Sequence, residues 1–130
     1  MKAPIGKWLA YTVLVGLLPV LVRLLIWAIV RNGAVDAFAA PDFITFGLVL
    51  HISIVNELEH LKRRTDWKAI QNGTCLVFIA IYGALYATMV ISQNNSGLVN
   101  SDAALRSSIV MATVSFLFSL SVFYRLSKLN

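Results

Sequence analysis

Apolar residues in this chain gather into four long runs that are separated by short polar segments. A helix that crosses ~30 Å of hydrocarbon needs about 20 mostly apolar residues. Three runs approach or exceed this length, at 8–30, 75–92 and 105–124. Pro19 and Arg23 interrupt the first run, whereas the run at 75–92 carries no charge. The pattern predicts membrane-spanning helices at these three positions.

The run that begins at Phe43 is the weakest of the four. Its uninterrupted apolar core ends at Val55 after 13 residues and contains His51. The segment reaches membrane-spanning length only if the helix continues to about Leu61, which places its acidic residues at the interface. We predict a span over 43–61, and a three-span chain with a re-entrant second segment is the main alternative.

The polar segments between the runs contain residues that form turns and helix caps. Pro41 opens the second helix, and Asp42 faces the positive end of its dipole. A turn around Gly73 precedes the predicted third helix, and Asn100 or Ser101 can cap the fourth. Internal repeats and linkers are absent from the sequence, so we expect the whole chain, 1–130, to be a single integral membrane domain.

Lysine and arginine are distributed unevenly among the connections. The two tails and a basic connection at about 62–72 hold eight cations: Lys2, Lys7, Lys62, Arg63, Arg64, Lys68, Arg125 and Lys128. All of them fall on one side if the chain crosses the bilayer four times. Cytoplasmic loops carry an excess of lysine and arginine. We therefore predict an all-α membrane protein, an up-down bundle of four transmembrane helices with both termini in the cytoplasm.

The composition agrees with a multi-pass membrane protein and excludes several other classes. Apolar residues make up 58% of the chain and charged residues only 13%, whereas soluble domains carry about 25% charged residues. Cys75 is the only cysteine, which excludes a secreted disulfide scaffold. The first apolar run is longer than the 7 to 15 residues of a signal peptide, so we expect it to stay uncleaved. Four spans leave almost no chain for a catalytic domain, so we expect no enzymatic activity and no catalytic residues.

Arg23 and His51 fall at a similar predicted depth in antiparallel neighbours. Arg23 precedes Val30 by seven residues and His51 lies eight residues into the second span, so both lie about 10 to 12 Å below the outer end. We expect a buried polar layer or pore lining that also includes Tyr82, Tyr86, Thr113 and Ser115. Two interpretations of Arg23 stay open: it pairs or snorkels towards Asp36 or Asp42, or it binds an anion or a lipid phosphate.

Two predicted spans carry stripes of small residues at helical spacing. The fourth span contributes Ser108, Ala112, Ser115 and Ser119, and the third contributes Ala80, Gly83, Ala84 and Ala87. Small residues allow membrane helices to approach closely, and serine hydroxyls can form hydrogen bonds across the contact. Close packing of the third span on the fourth is the conservative interpretation. A contact between subunits and a hydrated pore lined by the serines are the alternatives.

The basic connection combines cations with an aromatic side chain, through Lys62, Arg63, Arg64, Trp67 and Lys68. Such a segment suits anionic lipid headgroups, and it equally suits an acidic patch on a cytosolic protein. The acids among these cations make direct nucleic-acid binding an unfavoured interpretation. Glu57 and His60 have the i, i+3 spacing of helical metal sites, but those sites need several such sets. We therefore expect no metal and no other cofactor.

In size and number of spans the chain resembles small four-span accessory proteins of bacteria, among them colicin-type immunity proteins and membrane subunits of antiviral systems. This resemblance is one of overall plan, and it implies a role in envelope stress or in defence against phage or bacteriocins. We predict a non-enzymatic inner-membrane subunit that forms homo-oligomers, senses membrane perturbation and docks a cytosolic protein through its basic face. The main alternative is a small oligomeric channel that favours anions, followed by a dimeric transporter.

Overall fold

The computed structural model describes residues 5–31, 33–60 and 66–129 and consists of helices joined by short connections. The α-helices are α1 (Ile5–Ile29), α2 (Ala40–Glu59), α3 (Asp66–Asn94) and α4 (Ser101–Leu129). A short 3₁₀ turn, Ser96–Leu98, lies between α3 and α4. Each of the four α-helices is long and apolar enough to cross a membrane. The prediction of an all-α protein with four such helices is confirmed.

The weak second run forms one continuous helix. Ala39 has extended backbone angles just before α2, a proline occupies the first turn, and Asp42 lies in that turn as well. The helix then runs without interruption for 20 residues and ends at Glu59. This length matches a complete membrane crossing, so the structure favours a spanning helix over the re-entrant alternative.

Helix α3 begins earlier than the sequence predicts, at Asp66 instead of Cys75. Residues 66–72, which we expected to belong to the basic connection, are helical, and Gly73 lies inside the helix. Trp67 explains the difference because it packs against an apolar cluster at this end of the molecule. This packing outweighs the cost of about 1 kcal/mol for a glycine in a helix.

The central position in the fold belongs to α2. It packs against each of the other three helices, and its contact with α4 is the most extensive. Among the described residues, α1 and α3 do not contact each other. The molecule is therefore built around α2, with α1 and α3 attached to it at separate places.

Two apolar clusters hold the other helices against α2. The first cluster joins the last turns of α2 to the early part of α3 and the end of α4, through Ile54, Leu58, Cys75, Val122, Phe123 and Leu126. The second cluster joins α2 to the middle of α4 through Phe46, Leu50 and Ala112. Val13 and Leu17 of α1 pack against this second cluster. The buried polar residues that form the candidate site lie between the two clusters.

Candidate functional site

A string of hydrogen-bonded side chains crosses the interior of the molecule at His51. His51 Nε2 lies 2.8 Å from Ser115 Oγ of α4, and His51 Nδ1 lies 3.4 Å from Cys75 Sγ of α3. Ser115 Oγ also lies 2.6 Å from the Tyr82 hydroxyl of α3. All four side chains have no solvent-accessible surface. The string therefore connects three helices through groups that cannot exchange their bonds for water.

The chemistry of the four groups assigns a direction to the string. Neutral imidazole has one N–H donor and one acceptor nitrogen. If His51 Nδ1–H donates to Cys75 Sγ, then Nε2 accepts the Ser115 hydroxyl, and Ser115 Oγ accepts the Tyr82 hydroxyl. The opposite direction leaves the phenol hydrogen without an acceptor among the described residues, and an unpaired buried hydroxyl is costly. The direction from Tyr82 to Cys75 leaves only the weak S–H donor unused, so we assign that direction.

Aromatic rings surround the imidazole of His51. The Phe78 ring stacks on it with a centroid distance of 4.6 Å and an interplanar angle of 16°. The Phe118 ring lies on another side, with a centroid distance of 5.7 Å. These rings keep water and lipid away from the imidazole, which strengthens the hydrogen bonds that it makes.

Gly47 makes room for Tyr82 at the contact between α2 and α3. A Cβ atom at this position would overlap the Tyr82 ring and hydroxyl. Only glycine lets the phenol reach across α2 to the hydroxyl of Ser115. Gly47 therefore belongs to the candidate site, although nothing in the sequence pattern singles it out.

The structure brings together three of the six residues expected in the polar layer, His51, Tyr82 and Ser115. Tyr86 is 57% exposed, and the exposed Thr113 hydroxyl donates to the carbonyl of Ile109 in its own helix. Cys75 takes part in the string although the sequence analysis did not include it. The signal for it was its spacing: Cys75, Phe78 and Tyr82 recur at i, i+3 and i+7, which is one face of a helix.

Arg23 lies outside this string and forms an ion pair with Asp42. Asp42 precedes His51 by nine residues on α2, so the expected common depth of Arg23 and His51 is wrong. Arg23 Nε donates to Asp42 Oδ2 at 2.5 Å, and the side chains are 32% and 12% exposed. The pair joins the last part of α1 to the first turn of α2. Of the two interpretations left open by the sequence, the structure places Arg23 in the pairing arrangement with Asp42.

The stripe of small residues on α4 is buried mainly against α2. Ser108, Ala112, Ser115 and Ser119 are all buried, and Ala112 packs with Phe46 and Leu50 of α2. Ser108 and Ser119 donate their hydroxyls to carbonyls one turn earlier, at 2.8 Å in each case. The expected packing of the two stripes on each other is therefore wrong, because α3 reaches the α4 stripe through Tyr82, which bonds Ser115, and not through its small residues.

The small residues of α3 lie on the outer surface of the molecule. Ala80, Gly83, Ala84 and Ala87 are exposed. A Cβ atom built at Gly83 would meet nothing within 4 Å. This stripe is consequently available for a contact outside the chain.

The start of α3 lies beside the end of α4, where Trp67 contacts Arg125. The Arg125 guanidinium carbon lies 5.0 Å from the centroid of the Trp67 ring, and Lys128 Nζ lies 4.5 Å from that of Tyr124. Lys68 is half-buried at the same end of α3. Three residues of the predicted basic connection, Lys62, Arg63 and Arg64, lie outside the described residues.

The described residues contain no group of three or more histidine, cysteine, aspartate or glutamate side chains that could hold a metal ion. The buried string has donors and acceptors that satisfy one another, and its chemistry is suited to fixing the relative positions of three helices. No family model, curated protein or solved structure matches this chain. Its function is therefore inferred from the geometry of the chain alone.

Proposed function

We propose that this chain is a small non-enzymatic subunit of the bacterial inner membrane that self-associates and docks a cytosolic protein through a basic face. In this proposal it is an up-down bundle with both termini in the cytoplasm. It senses membrane or envelope perturbation and serves bacterial stress responses or defence against phage or bacteriocins. Membrane lipids are its surroundings, and nucleic acid is not a direct partner.

The observation that carries this proposal is the contact between Arg125 and the Trp67 ring. It joins the start of α3 to the end of α4 in one cationic surface that also includes Lys128. Trp67 packs against the same apolar cluster that contains Leu58, near the end of α2. Three helix ends therefore meet here, which supports the up-down arrangement and places the described cations of α3 and α4 together.

Arginines and aspartates balance at the other end of the molecule, where Arg23, Arg31 and Arg106 accompany Asp36, Asp42 and Asp102. A cavity of about 430 Å³ is lined there by Asp36, Asp102, Ser92 and Ser101, among others. The sequence assigns eight lysines and arginines to the two tails and the basic connection, and three to the end that carries this cavity. This excess is the pattern that the positive-inside rule describes, in which acids contribute little. It supports a cytoplasmic location for the end that carries Arg125 and Lys128.

Self-association is assigned to the exposed small residues of α3. Lipid-facing helices normally carry large apolar side chains, whereas small residues allow two backbones to approach and pack closely. Ala80, Gly83, Ala84 and Ala87 leave such a flat strip uncovered on the outside of the chain. The contact between subunits then consists of two copies of α3.

In this proposal the sensing element is the ion pair between Arg23 and Asp42. It links the last part of α1 to the first turn of the central helix α2, and both side chains are partly exposed. A change in the surrounding lipid or an inserted foreign component can therefore compete for either charge. The position of α1, which otherwise contacts α2 and α4 only, would change in response.

Burial of the α4 serines favours this proposal over a channel lined by them. Ser108, Ser115 and Ser119 have no accessible surface and form hydrogen bonds within the chain. A hydrated path along this stripe would require α2 to leave α4, which would break the polar string.

The docking proposal is tested by neutralising the cationic end. Lys68, Arg125 and Lys128 are replaced together by glutamine, and the control carries Asp36→Asn and Asp102→Asn at the opposite end. Each variant is purified in mild detergent from its own cells, and the soluble proteins that accompany it are identified. We expect one stoichiometric soluble partner with the native chain and the control, and its loss from the cationic-end variant. Equal recovery from all three would contradict the proposal.

The self-association proposal is tested separately by native mass spectrometry of the purified chain. Gly83→Leu and Ala84→Leu place bulk in the middle of the α3 stripe, and Ala103→Leu adds the same bulk at an exposed position of α4. We expect oligomers from the native chain and from Ala103→Leu, and monomers from the two α3 variants. A native chain that is monomeric at every protein concentration would refute this part.

A further inference from the structure

An apolar groove of about 260 Å³ lies between α1, α2 and α4. Side chains that line it include Val13, Leu17, Phe43, Phe46, Ile109 and Thr113. Ile109 and Thr113 are exposed, so the groove opens to the outside of the chain. All of these residues belong to the segments that can span a membrane, so the groove opens towards lipid.

A positive charge lies on the same face of α4, beyond one end of the groove. Arg106, Ile109 and Thr113 are spaced i, i+3 and i+7, which aligns them along one helix face. Side chains on a helix lean towards its N-terminus, so the exposed Arg106 extends away from the groove towards the start of α4. Asp102 lies one turn earlier, yet the structure shows no ion pair between these two described residues.

The groove is too small for a second protein helix but large enough for a hydrocarbon chain. An α-helix with its side chains is about 10 to 12 Å across, so a second helix could place some of its side chains, but not its backbone, in 260 Å³. An apolar cavity of about 150 Å³ already binds benzene. Part of an acyl chain therefore fits this volume, and the apolar lining and the opening towards lipid suit it.

We propose that this groove binds one phospholipid, with an acyl chain against Phe43, Phe46 and Thr113 and the phosphate on the Arg106 guanidinium. Arginine can donate two parallel hydrogen bonds to a phosphate, and such charge-assisted bonds are stronger than neutral ones. The lipid joins α1 to α4, whose direct contact is the smallest between any two helices that touch. This site depends only on the helices lying in lipid and not on docking or self-association.

The experiment compares two lipids that differ only in the phosphate-bearing headgroup. Delipidated protein is titrated with phosphatidylglycerol or with diacylglycerol of the same chains, and bound lipid is counted by native mass spectrometry. Arg106→Gln removes the charge, with Arg31→Gln as its control. Thr113→Trp fills the groove, with Val114→Trp as its control at an exposed position outside the lining.

We expect the native chain to bind one phosphatidylglycerol about tenfold more tightly than diacylglycerol, the effect of one charge-assisted hydrogen bond. Arg106→Gln should abolish this preference, and Thr113→Trp should weaken binding of both lipids, whereas both controls should behave as the native chain. An unchanged preference in Arg106→Gln would overturn the proposal, and that exposed substitution does not threaten folding. A Thr113→Trp variant that no longer forms oligomers but binds lipid normally would also overturn the proposal, because the groove would then hold part of a second copy of the chain.

Discussion

The second and first helices combine apolar character and burial in opposite ways. Of the four spanning segments, the one in α2 has the lowest mean hydropathy, yet 44% of its residues are buried. The segment in α1 has the highest mean hydropathy, and only 11% of its residues are buried. In water the most apolar helix would take the centre. In lipid, apolar side chains lose nothing by exposure, while polar ones need partners. The central position therefore goes to the helix that carries His51 and Asp42.

Replacing His51 should cause the largest loss of stability. His51→Ala removes a fully buried ring, leaves a cavity beside Phe78, and takes a hydrogen-bond partner from both Ser115 and Cys75. We expect the free energy of unfolding to fall by about 3 kcal/mol. The measurement is reversible unfolding in mixed micelles with increasing dodecyl sulfate.

The control for His51→Ala is its exposed neighbour in the same helix. Ile52 is 59% exposed, so Ile52→Ala exchanges one lipid-facing apolar side chain for a smaller one. We expect a change below about 0.5 kcal/mol. If the two substitutions cost the same, burial of α2 does not depend on its polar residues, and the contrast with α1 has another cause.

Gly47 of α2 and Gly83 of α3 allow a packed helix surface to be compared with an open one. Gly47→Ala places a Cβ atom in the space of the Tyr82 ring and hydroxyl, and such overpacking should cost about 2 kcal/mol. Gly83→Ala meets open space, so stability should stay the same or rise by up to about 1 kcal/mol through helix propensity. The same unfolding titration gives both values. A loss for Gly83→Ala as large as for Gly47→Ala would show that the outer face of α3 is already packed within one chain.

The attachment of α1 to α2 can be tested at its ion pair. We expect a coupling energy of about 1 kcal/mol between Arg23→Gln and Asp42→Asn in a double-mutant cycle, because the pair is only partly removed from solvent. Substitution of Asp36, which forms no ion pair with Arg23, supplies the control cycle. Independent effects of Arg23→Gln and Asp42→Asn would mean that apolar packing alone holds α1 in place.

The sequence predicts the number of helices better than it predicts their neighbours. Long apolar runs indicate spans directly, because the thickness of the bilayer fixes the length required. Counting residues predicts a similar depth for Arg23 and His51, and this prediction is wrong. Arg23 pairs with Asp42, which precedes His51 by nine residues, about 13 Å along α2. The direction of each side chain depends on which helices pack together, so the sequence could not show that Arg23 turns to Asp42 instead. It could not show either that the serines of α4 face α2.

Two tyrosines of α3, one buried and one exposed, test the smallest expected change in unfolding free energy. Tyr82 and Tyr86 are one turn apart, and counting residues could not decide between them. Tyr82 is buried and its hydroxyl lies 2.6 Å from Ser115 Oγ, whereas Tyr86 is 57% exposed.

Hydrogen bonds between helices in a membrane contribute about 0.6 kcal/mol on average. Tyr82→Phe should therefore lower the unfolding free energy by about that amount, and Tyr86→Phe should leave it unchanged. A cycle with Ser115→Ala separates the bond from the ring, because Tyr82→Phe should cost nothing once its acceptor is gone. If Tyr82→Phe still costs as much in Ser115→Ala, the Tyr82 hydroxyl does not stabilise the chain through Ser115. If instead the cost disappears, the bond between Tyr82 and Ser115 helps to hold α3 against α4, beside the central helix α2.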